Sequence, residues 1–148
     1  MQTGCINTMN FELTLSSFQD KGFRITPTRS EIIKVFSNCS VPLSANKIIE
    51  LLSEREINVN RTTIYRELQF LLDKGCLKKI YLHPDEISYE PSDLRHHHHL
   101  ICEKCGSIDN VTNCLADALE EDILKKKGFR IKSHTLEFYG ICKNCAQK

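Results

Sequence analysis

HHHHLICEKC, residues 96 to 105, packs more potential metal ligands into ten positions than any other segment of the chain. Four consecutive histidines, His96 to His99, run through Leu100 and Ile101 into a C-x-x-C pair, Cys102 and Cys105. A second C-x-x-C, Cys142 and Cys145, lies far downstream. Zinc in a structural site takes four thiolate or imidazole ligands in a tetrahedron, and two such knuckles supply them. The two pairs together are a strong tetrathiolate signal. The histidine run sits inside the chain and merges into an apolar segment, which separates it from an affinity tag.

Working outward, 148 residues allow one large domain or two small ones. A composition of 41% hydrophobic and 26% charged residues is that of an ordinary globular protein. No apolar run approaches the roughly 18 to 20 residues needed to span a bilayer, so no membrane association is expected. The opening MQTGCINTMN lacks the basic region and apolar core of a secretory signal. The expected location is therefore the cytoplasm, where paired spacing among the eight cysteines argues for metal rather than disulfides. A net charge of +1 gives no evidence for nucleic acid. Any case for DNA has to come from pattern.

The first half carries such a pattern. A short amphipathic helix fits Phe11 to Lys21, with Leu13, Leu15 and Phe18 apolar and Gly22 as its stop. Thr26 and Pro27 form a cap and first-turn pair opening a helix with Ile32, Ile33, Val35 and Phe36 on one face. Pro42 interrupts, and Ser44 caps a third helix with Ile48, Ile49, Leu51 and Leu52 as its stripe. The fourth segment, Asn60 to Gly75, places Ile64, Leu68, Leu71 and Leu72 at i, i+4, i+7 and i+8, so one face packs inward. Its other side presents Arg61, Thr62, Thr63, Tyr65, Arg66 and Gln69 near the helix start, where a recognition helix meets the major groove. Leu77 to Leu82 reads as a strand, His83-Pro84-Asp85-Glu86 as a turn and Ile87 to Glu90 as the returning strand. Three helices and a hairpin in that order predict a winged helix-turn-helix.

The second half is shorter. Ser107 to Val111 is strand-like after Gly106, and Asn113 is placed to cap a helix to Lys127 with Leu115, Leu119, Ile123 and Leu124 inward. Phe129 to Tyr139 reads as a long strand. A unit of about 50 residues has little core of its own and calls for a metal, a partner chain, or both.

These motifs resemble the ferric uptake regulator family of metal-sensing repressors. The likeness spans residues 10 to 146 and rests on five motifs: R-x-T-x-x-R (Arg24, Thr26, Arg29), T-T-I-Y-R (Thr62 to Arg66), HHHHLICEKCG, S-H-T-L-E-F-Y-G, and the closing C-x-x-C. The resemblance implies an α+β protein with an N-terminal winged helix-turn-helix domain and a small C-terminal α/β dimerisation domain holding a structural zinc site. Residues 1–90 would bind DNA, 91–99 would form a hinge and metal-ligand segment, and 100–148 would dimerise. It further implies a homodimer on a palindromic DNA operator, no small-molecule substrate, and up to three metal sites per protomer.

Carried over residue by residue, structural zinc falls on Cys102, Cys105, Cys142 and Cys145. A site within the dimerisation domain falls on His96, His98, Asp117 and His134, with His98 standing where many iron sensors have aspartate. The regulatory site, for a second divalent ion (zinc or ferrous iron), falls on Glu90, His97 and His99. The family usually adds a histidine before the third helix and a carboxylate on the strand after the knuckle. Here those positions read Pro42 and Asn110.

The run of histidines has a physical sense of its own. In an extended segment alternate side chains point to opposite faces, so His96 and His98 would serve one site and His97 and His99 another. Cys5, Cys39, Cys76 and Cys114 lack paired spacing and read as isolated thiols, and His83 as a surface residue of the turn. Three firm regulatory donors suit a tetrahedral ion better than ferrous iron, and zinc stands above iron in general affinity for such sites, so zinc is the expected signal. Peroxide sensing is the alternative within the family. A zinc hydrolase or deaminase is the reading from another class, but neither H-E-x-x-H nor H-x-E with P-C-x-x-C occurs. The expectation is a regulator without enzymatic activity.

Overall fold

The computed structural model of the chain describes residues 9–83, 85–112, 114 and 116–147. Cys5, Pro84, Asn113 and Leu115, on which parts of the sequence reading fall, lie outside them. The chain divides into two units between Arg95 and His96.

The N-terminal unit starts with helices α1 (Phe11–Asp20) and α2 (Pro27–Ser37), followed by the two-residue strand β1 (Leu43–Ser44). Helices α3 (Ala45–Ser53) and α4 (Arg61–Asp73) come next, then the hairpin strands β2 (Leu77–His83) and β3 (Glu86–Pro91). Each of its four helices opens on a side-chain cap. Asn10, Thr26, Ser44 and Asn60 accept from the backbone N–H groups of Leu13, Arg29, Lys47 and Thr63 at 2.8–3.2 Å, satisfying a donor that the first turn cannot. Gly75 closes α4 at φ +70°, a left-handed conformation that costs other residues a steric clash.

The core lies where the apolar periodicity predicts. Ile32, Ile33, Val35 and Phe36 of α2, Ile48 and Leu52 of α3, and Ile64, Leu68 and Leu71 of α4 are buried together. Phe18, Phe23 and Phe70 stack edge-to-face beside them, with centroids 5.5–6.1 Å apart. In α1 the expected stripe is partial, because Phe18 is buried while Leu13 is 67% exposed. The sheet runs β1-β3-β2, all antiparallel, with Lys78 opposite Glu90 and Leu43 opposite Tyr89. β1 has no sequence signal of its own, being two residues long; it exists because β3 offers it an edge.

Beneath α4 the R-x-T-x-x-R motif becomes a clamp. Arg29 Nε donates to Glu67 Oε2 at 2.7 Å and the Thr26 hydroxyl to Oε1 at 3.2 Å. Another guanidinium nitrogen donates to the Arg24 carbonyl, and the guanidinium lies 3.5 Å from the Phe70 ring centroid. Both side chains of the pair are close to nine-tenths buried. α2 and α4 are thus fixed by charge as well as by apolar contact.

The C-terminal unit contains β4 (His98–Cys102), β5 (Ile108–Val111), α5 (Ala116–Lys127), β6 (Glu137–Gly140) and the short α6 (Lys143–Ala146). β4 is central, antiparallel to β5 and parallel to β6. Together the two units make an α+β protein with an N-terminal winged helix-turn-helix. Two expectations need correction. The long strand over Phe129 to Tyr139 is confined to β6, since the five residues of β4 give it so little to pair with, and Phe129 is 64% exposed. The stripe of α5 does not turn inward either: Leu119 and Leu124 are 59% and 43% exposed, because this unit offers almost nothing to bury them against. Among the described residues its only buried apolar side chains are Ile101 and Cys102.

The clamp generates a test. Arg29→Met leaves a buried carboxylate without its cation and should destabilise the N-terminal unit by about 3–5 kcal/mol, whereas pairing it with Glu67→Leu should recover most of that loss. Denaturant unfolding of the full chain followed by circular dichroism measures these and the Glu67→Leu single variant; a double variant whose loss equals the sum of the two single losses would show that the pair is not coupled.

Candidate metal centres and nucleic-acid face

The four-sulfur cluster grows out of two local turns. β4 ends at Cys102, and the chain reverses through Glu103 and Lys104 to Gly106, whose φ of +71° lets its N–H donate to the Cys102 carbonyl at 2.8 Å. The second knuckle starts α6: Cys142 sits at its N-cap, and Cys145 N–H donates to the Cys142 carbonyl at 3.0 Å. The parallel pairing of β4 with β6 brings these turns together, and the Sγ atoms of Cys102, Cys105, Cys142 and Cys145 lie within 4.8 Å of one another.

The electrostatics of that cluster favour a cation. The Cys142 backbone N–H donates to Cys102 Sγ at 3.3 Å and, with Cys105 N–H, brings the Cys102 thiol down to about 6. A hydrogen bond with Ser107 at 3.2 Å lowers Cys105 as well. Cys145, facing Cys105 and Cys142, is pushed up to about 12. Sulfurs this close resist full ionisation unless a positive charge sits among them, and a tetrahedral divalent ion supplies it. The donor set fits structural zinc.

A second cluster forms at the opposite end of β4, where His98 begins the strand that Cys102 ends. His96 Nε2 and His98 Nε2 stand 3.2 Å apart, and the His134 ring packs on both, with centroids at 4.6 and 5.2 Å. Burial, and after it the neighbouring imidazoles, hold His98 below the ordinary histidine value, which favours the neutral form a metal requires. The structure departs from the expected ligand set in one residue. Asp117 is exposed on the first turn of α5 and is not among the converging groups, whereas Cys114 is, its Sγ 3.2 Å from His134 Nε2. The segment before α5 carries Cys114 inward, while the helix register turns Asp117 to solvent.

The residues expected at the regulatory site belong to different units. In the N-terminal unit Glu90 is 1% exposed on β3, its carboxylate 2.9 Å from Lys78 Nζ across the hairpin. In the C-terminal unit His97 and His99 face each other at 4.9 Å between ring centroids, edge to face. The alternation expected for the histidine run therefore appears as two ring pairs, 96 with 98 and 97 with 99. Pro42 is buried and has no ligand atom, and Asn110 lies opposite His99 in the β4–β5 register.

On α4, Arg61, Thr62, Tyr65 and Arg66 are exposed, opposite the buried Ile64, Leu68 and Leu71. Thr63 is half-buried, its N–H accepted by the Asn60 cap at 2.8 Å. The Arg61 guanidinium lies 5.8 Å from the Tyr65 ring centroid. The helix therefore offers two guanidiniums, a phenol and a hydroxyl from one solvent-facing surface.

Three residues that matter escape a reading of the sequence. Glu67 carries the clamp, but a glutamate in a helix reads as surface. Cys114 has no partner cysteine at metal-binding spacing, and Glu120, whose Oε1 is 2.7 Å from His134 Nδ1, looks like any other acid of α5. Only the fold brings them to their partners.

Comparison with known proteins agrees with this architecture. The model of the ferric uptake regulator family matches residues 20–139. The ferric uptake regulation protein of Neisseria meningitidis serogroup A is 30% identical over 135 residues, covering 90% of this chain and 94% of that protein. The peroxide-responsive repressor PerR of Staphylococcus epidermidis is 31% identical over 137 residues, covering 93% and 91%. The ferric uptake regulator Fur of Helicobacter pylori shares the fold, with a TM-score of 0.79 at 23% identity over 95% of this chain and 97% of that one. A winged helix-turn-helix followed by a unit that gathers cysteines and histidines, matched over most of its length, identifies this chain as a member of the ferric uptake regulator family of metal-responsive transcriptional regulators.

Proposed function

We propose that the protein is a zinc-responsive repressor that binds a palindromic DNA operator as a homodimer and catalyses no reaction. The observation that carries the reading is one chain combining an exposed Arg61-Thr62-Tyr65-Arg66 surface on a recognition-type helix with a four-sulfur cluster suited to structural zinc. Apolar exposure supports the dimer: Leu100, Phe138, Tyr139 and Ile141 flank an open cavity of about 340 Å³, and Leu119 and Leu124 add to the uncovered surface. Contiguous apolar area of this kind marks a protein interface. No described helix is long and apolar enough to cross a membrane, which accords with a cytoplasmic regulator.

In this reading Cys102, Cys105, Cys142 and Cys145 hold a permanent zinc ion that keeps the C-terminal unit folded. Glu90, His97 and His99 would hold the regulatory ion, and an ion bound by all three would link residues of both units. Glu90, which pairs with Lys78 at 2.9 Å, would supply a carboxylate oxygen, and His97 and His99 would supply imidazole nitrogens. The chain responds only if those three ligands come together better in the operator-binding arrangement than in others, because equal affinity for both shifts nothing. Arg61 contacts phosphate, Arg66 and Tyr65 reach base edges, and Thr62 and Thr63 anchor the helix start on the backbone. Pro42 and Asn110 contribute no ionisable donor, which favours a low-coordinate zinc ion over ferrous iron. The peroxide-responsive relative supports a second reading, in which an iron-loaded site senses oxidation.

Three outcomes test the proposal. Cys102→Ser or Cys142→Ser should release one zinc per protomer by elemental analysis and lower the thermal midpoint of a protein that no longer dimerises; a dimeric, equally heat-stable variant would remove the structural role. With an operator selected from random duplexes, Arg66→Ala should lose affinity for that sequence by about 1–3 kcal/mol, while Arg61→Ala should weaken all duplexes alike and reduce the salt slope by about one. Normal operator binding by Arg66→Ala would put the recognition surface elsewhere. In anaerobic titrations with buffered metal, zinc should restore operator binding at lower free concentration than ferrous iron or manganese. His97→Ala or Glu90→Gln should raise the zinc required at least tenfold, about 1.4 kcal/mol. Ferrous iron acting where zinc does nothing would make the chain an iron sensor, and loss of binding with oxidised His97 or His99 after peroxide would make it a peroxide sensor.

A further inference from the structure

We infer that Cys114 is a metal ligand, completing with His96, His98 and His134 a three-nitrogen, one-sulfur site that takes zinc or another thiophilic divalent ion. The four donor atoms, three imidazole nitrogens and one sulfur, lie within 4.8 Å of one another. Their convergence is specific to atoms. His96 and His98 approach through Nε2 at 3.2 Å, and His134 turns Nε2 toward Cys114 Sγ at the same distance. Imidazole nitrogens crowded in this way repel through their lone pairs unless protons or a cation lie between them. Four such donors around one point are the number and type that a tetrahedral zinc ion takes.

Glu120 settles the direction of His134. Its Oε1 is 2.7 Å from His134 Nδ1, so a proton on Nδ1 is held by the carboxylate and the lone pair of Nε2 is left pointing at the cluster. A carboxylate behind a ligating histidine fixes its tautomer and raises its basicity, and such partners recur behind metal-bound imidazoles. A histidine that merely packed in the unit would need no such orientation. His98, 2% exposed, adds a buried nitrogen to the set.

The sulfur decides the chemical class of the ion. An all-oxygen or nitrogen–carboxylate set suits manganese and ferrous iron, whereas a thiolate selects zinc and its soft neighbours. Asp117, exposed on α5, offers carboxylate oxygen from outside the cluster, so the site trades an oxygen donor for sulfur. On binding, the Cys114 thiol gives up its proton to solvent and the sulfur lone pair forms the bond to the ion; no electron is transferred. The same Cys114, His134 and Glu120 would also make an activated thiol, a nucleophile with base and orienting acid in line. The metal reading is preferred because His96 and His98 have no part in that alternative yet aim their nitrogens at the same point.

The inference does not depend on operator binding, and its readouts involve no DNA. Protein retaining zinc in the four-sulfur site is stripped of looser metal with chelator and titrated with cobalt(II). A thiolate-to-cobalt charge-transfer band should appear, since only a sulfur ligand produces one. Cys114→Ser should abolish the band and weaken zinc binding at this site at least tenfold, while Asp117→Ala changes neither. Glu120→Gln should keep the band and weaken zinc about tenfold, which tests the site even if the serine variant folds poorly. Peptide mass spectrometry should show zinc slowing alkylation of Cys114 by iodoacetamide. Absence of the band, its persistence in Cys114→Ser, or its loss in Asp117→Ala would overturn the assignment. So would rapid alkylation of Cys114 that zinc leaves unchanged, which would instead identify an activated thiol.

Discussion

The C-terminal unit lacks the apolar burial to hold itself together, and much else in the molecule follows from that shortage. Ile101 and Cys102 are its buried apolar side chains among the described residues, and each contributes at most about 3 kcal/mol. Structural zinc in small domains supplies about 10–16 kcal/mol. A zinc ion held by the four sulfurs would therefore outweigh the core. They tie the end of β4 to the start of α6 across about 40 residues of sequence, a closure for which a metal pays once instead of many weak contacts. The same shortage leaves α5 and the β6 edge with exposed apolar side chains, a surface that a second copy of the chain can cover.

The N-terminal unit stands in contrast. Its helices are capped, its apolar faces meet in one cluster, and its buried charge pair is satisfied on both sides. The two units are thus held differently: one by apolar and ionic contacts of its own, the other with converging cysteines and histidines and little apolar core. Glu90 lies within the N-terminal unit as a buried carboxylate with Lys78 as its counter-ion.

How much of this is legible in the sequence depends on the kind of signal. Period-3.6 spacing of Ile64, Leu68 and Leu71 and the caps at Thr26 and Ser44 gave α2, α3 and α4 with little ambiguity, because local geometry and burial agree there. The two C-x-x-C knuckles were equally plain, since each is one turn long. Where pairing was long-range, legibility failed. Phe129 to Tyr139 has strand composition throughout, yet only Glu137 to Gly140 finds an edge. Cys114 and Asp117 are three residues apart and chemically plausible alike; the choice between them turns on how the chain enters α5, which no residue type announces. Glu67 was hidden for the same reason, its meaning residing in a partner 38 positions away.

The clamp of Arg29 and Thr26 on Glu67 bears on what the reading helix is able to do. Advancing an α-helix by one residue turns its face about 100°. For α4 that rotation would carry Glu67 away from both donors and expose the apolar row in the same motion. Rolling or sliding the helix within its unit therefore costs both the ion pair and the apolar packing; it is a set piece, like type locked in a printer's forme. A change of letter has to come from the side chains at its surface, and a change of impression from the unit moving as one body.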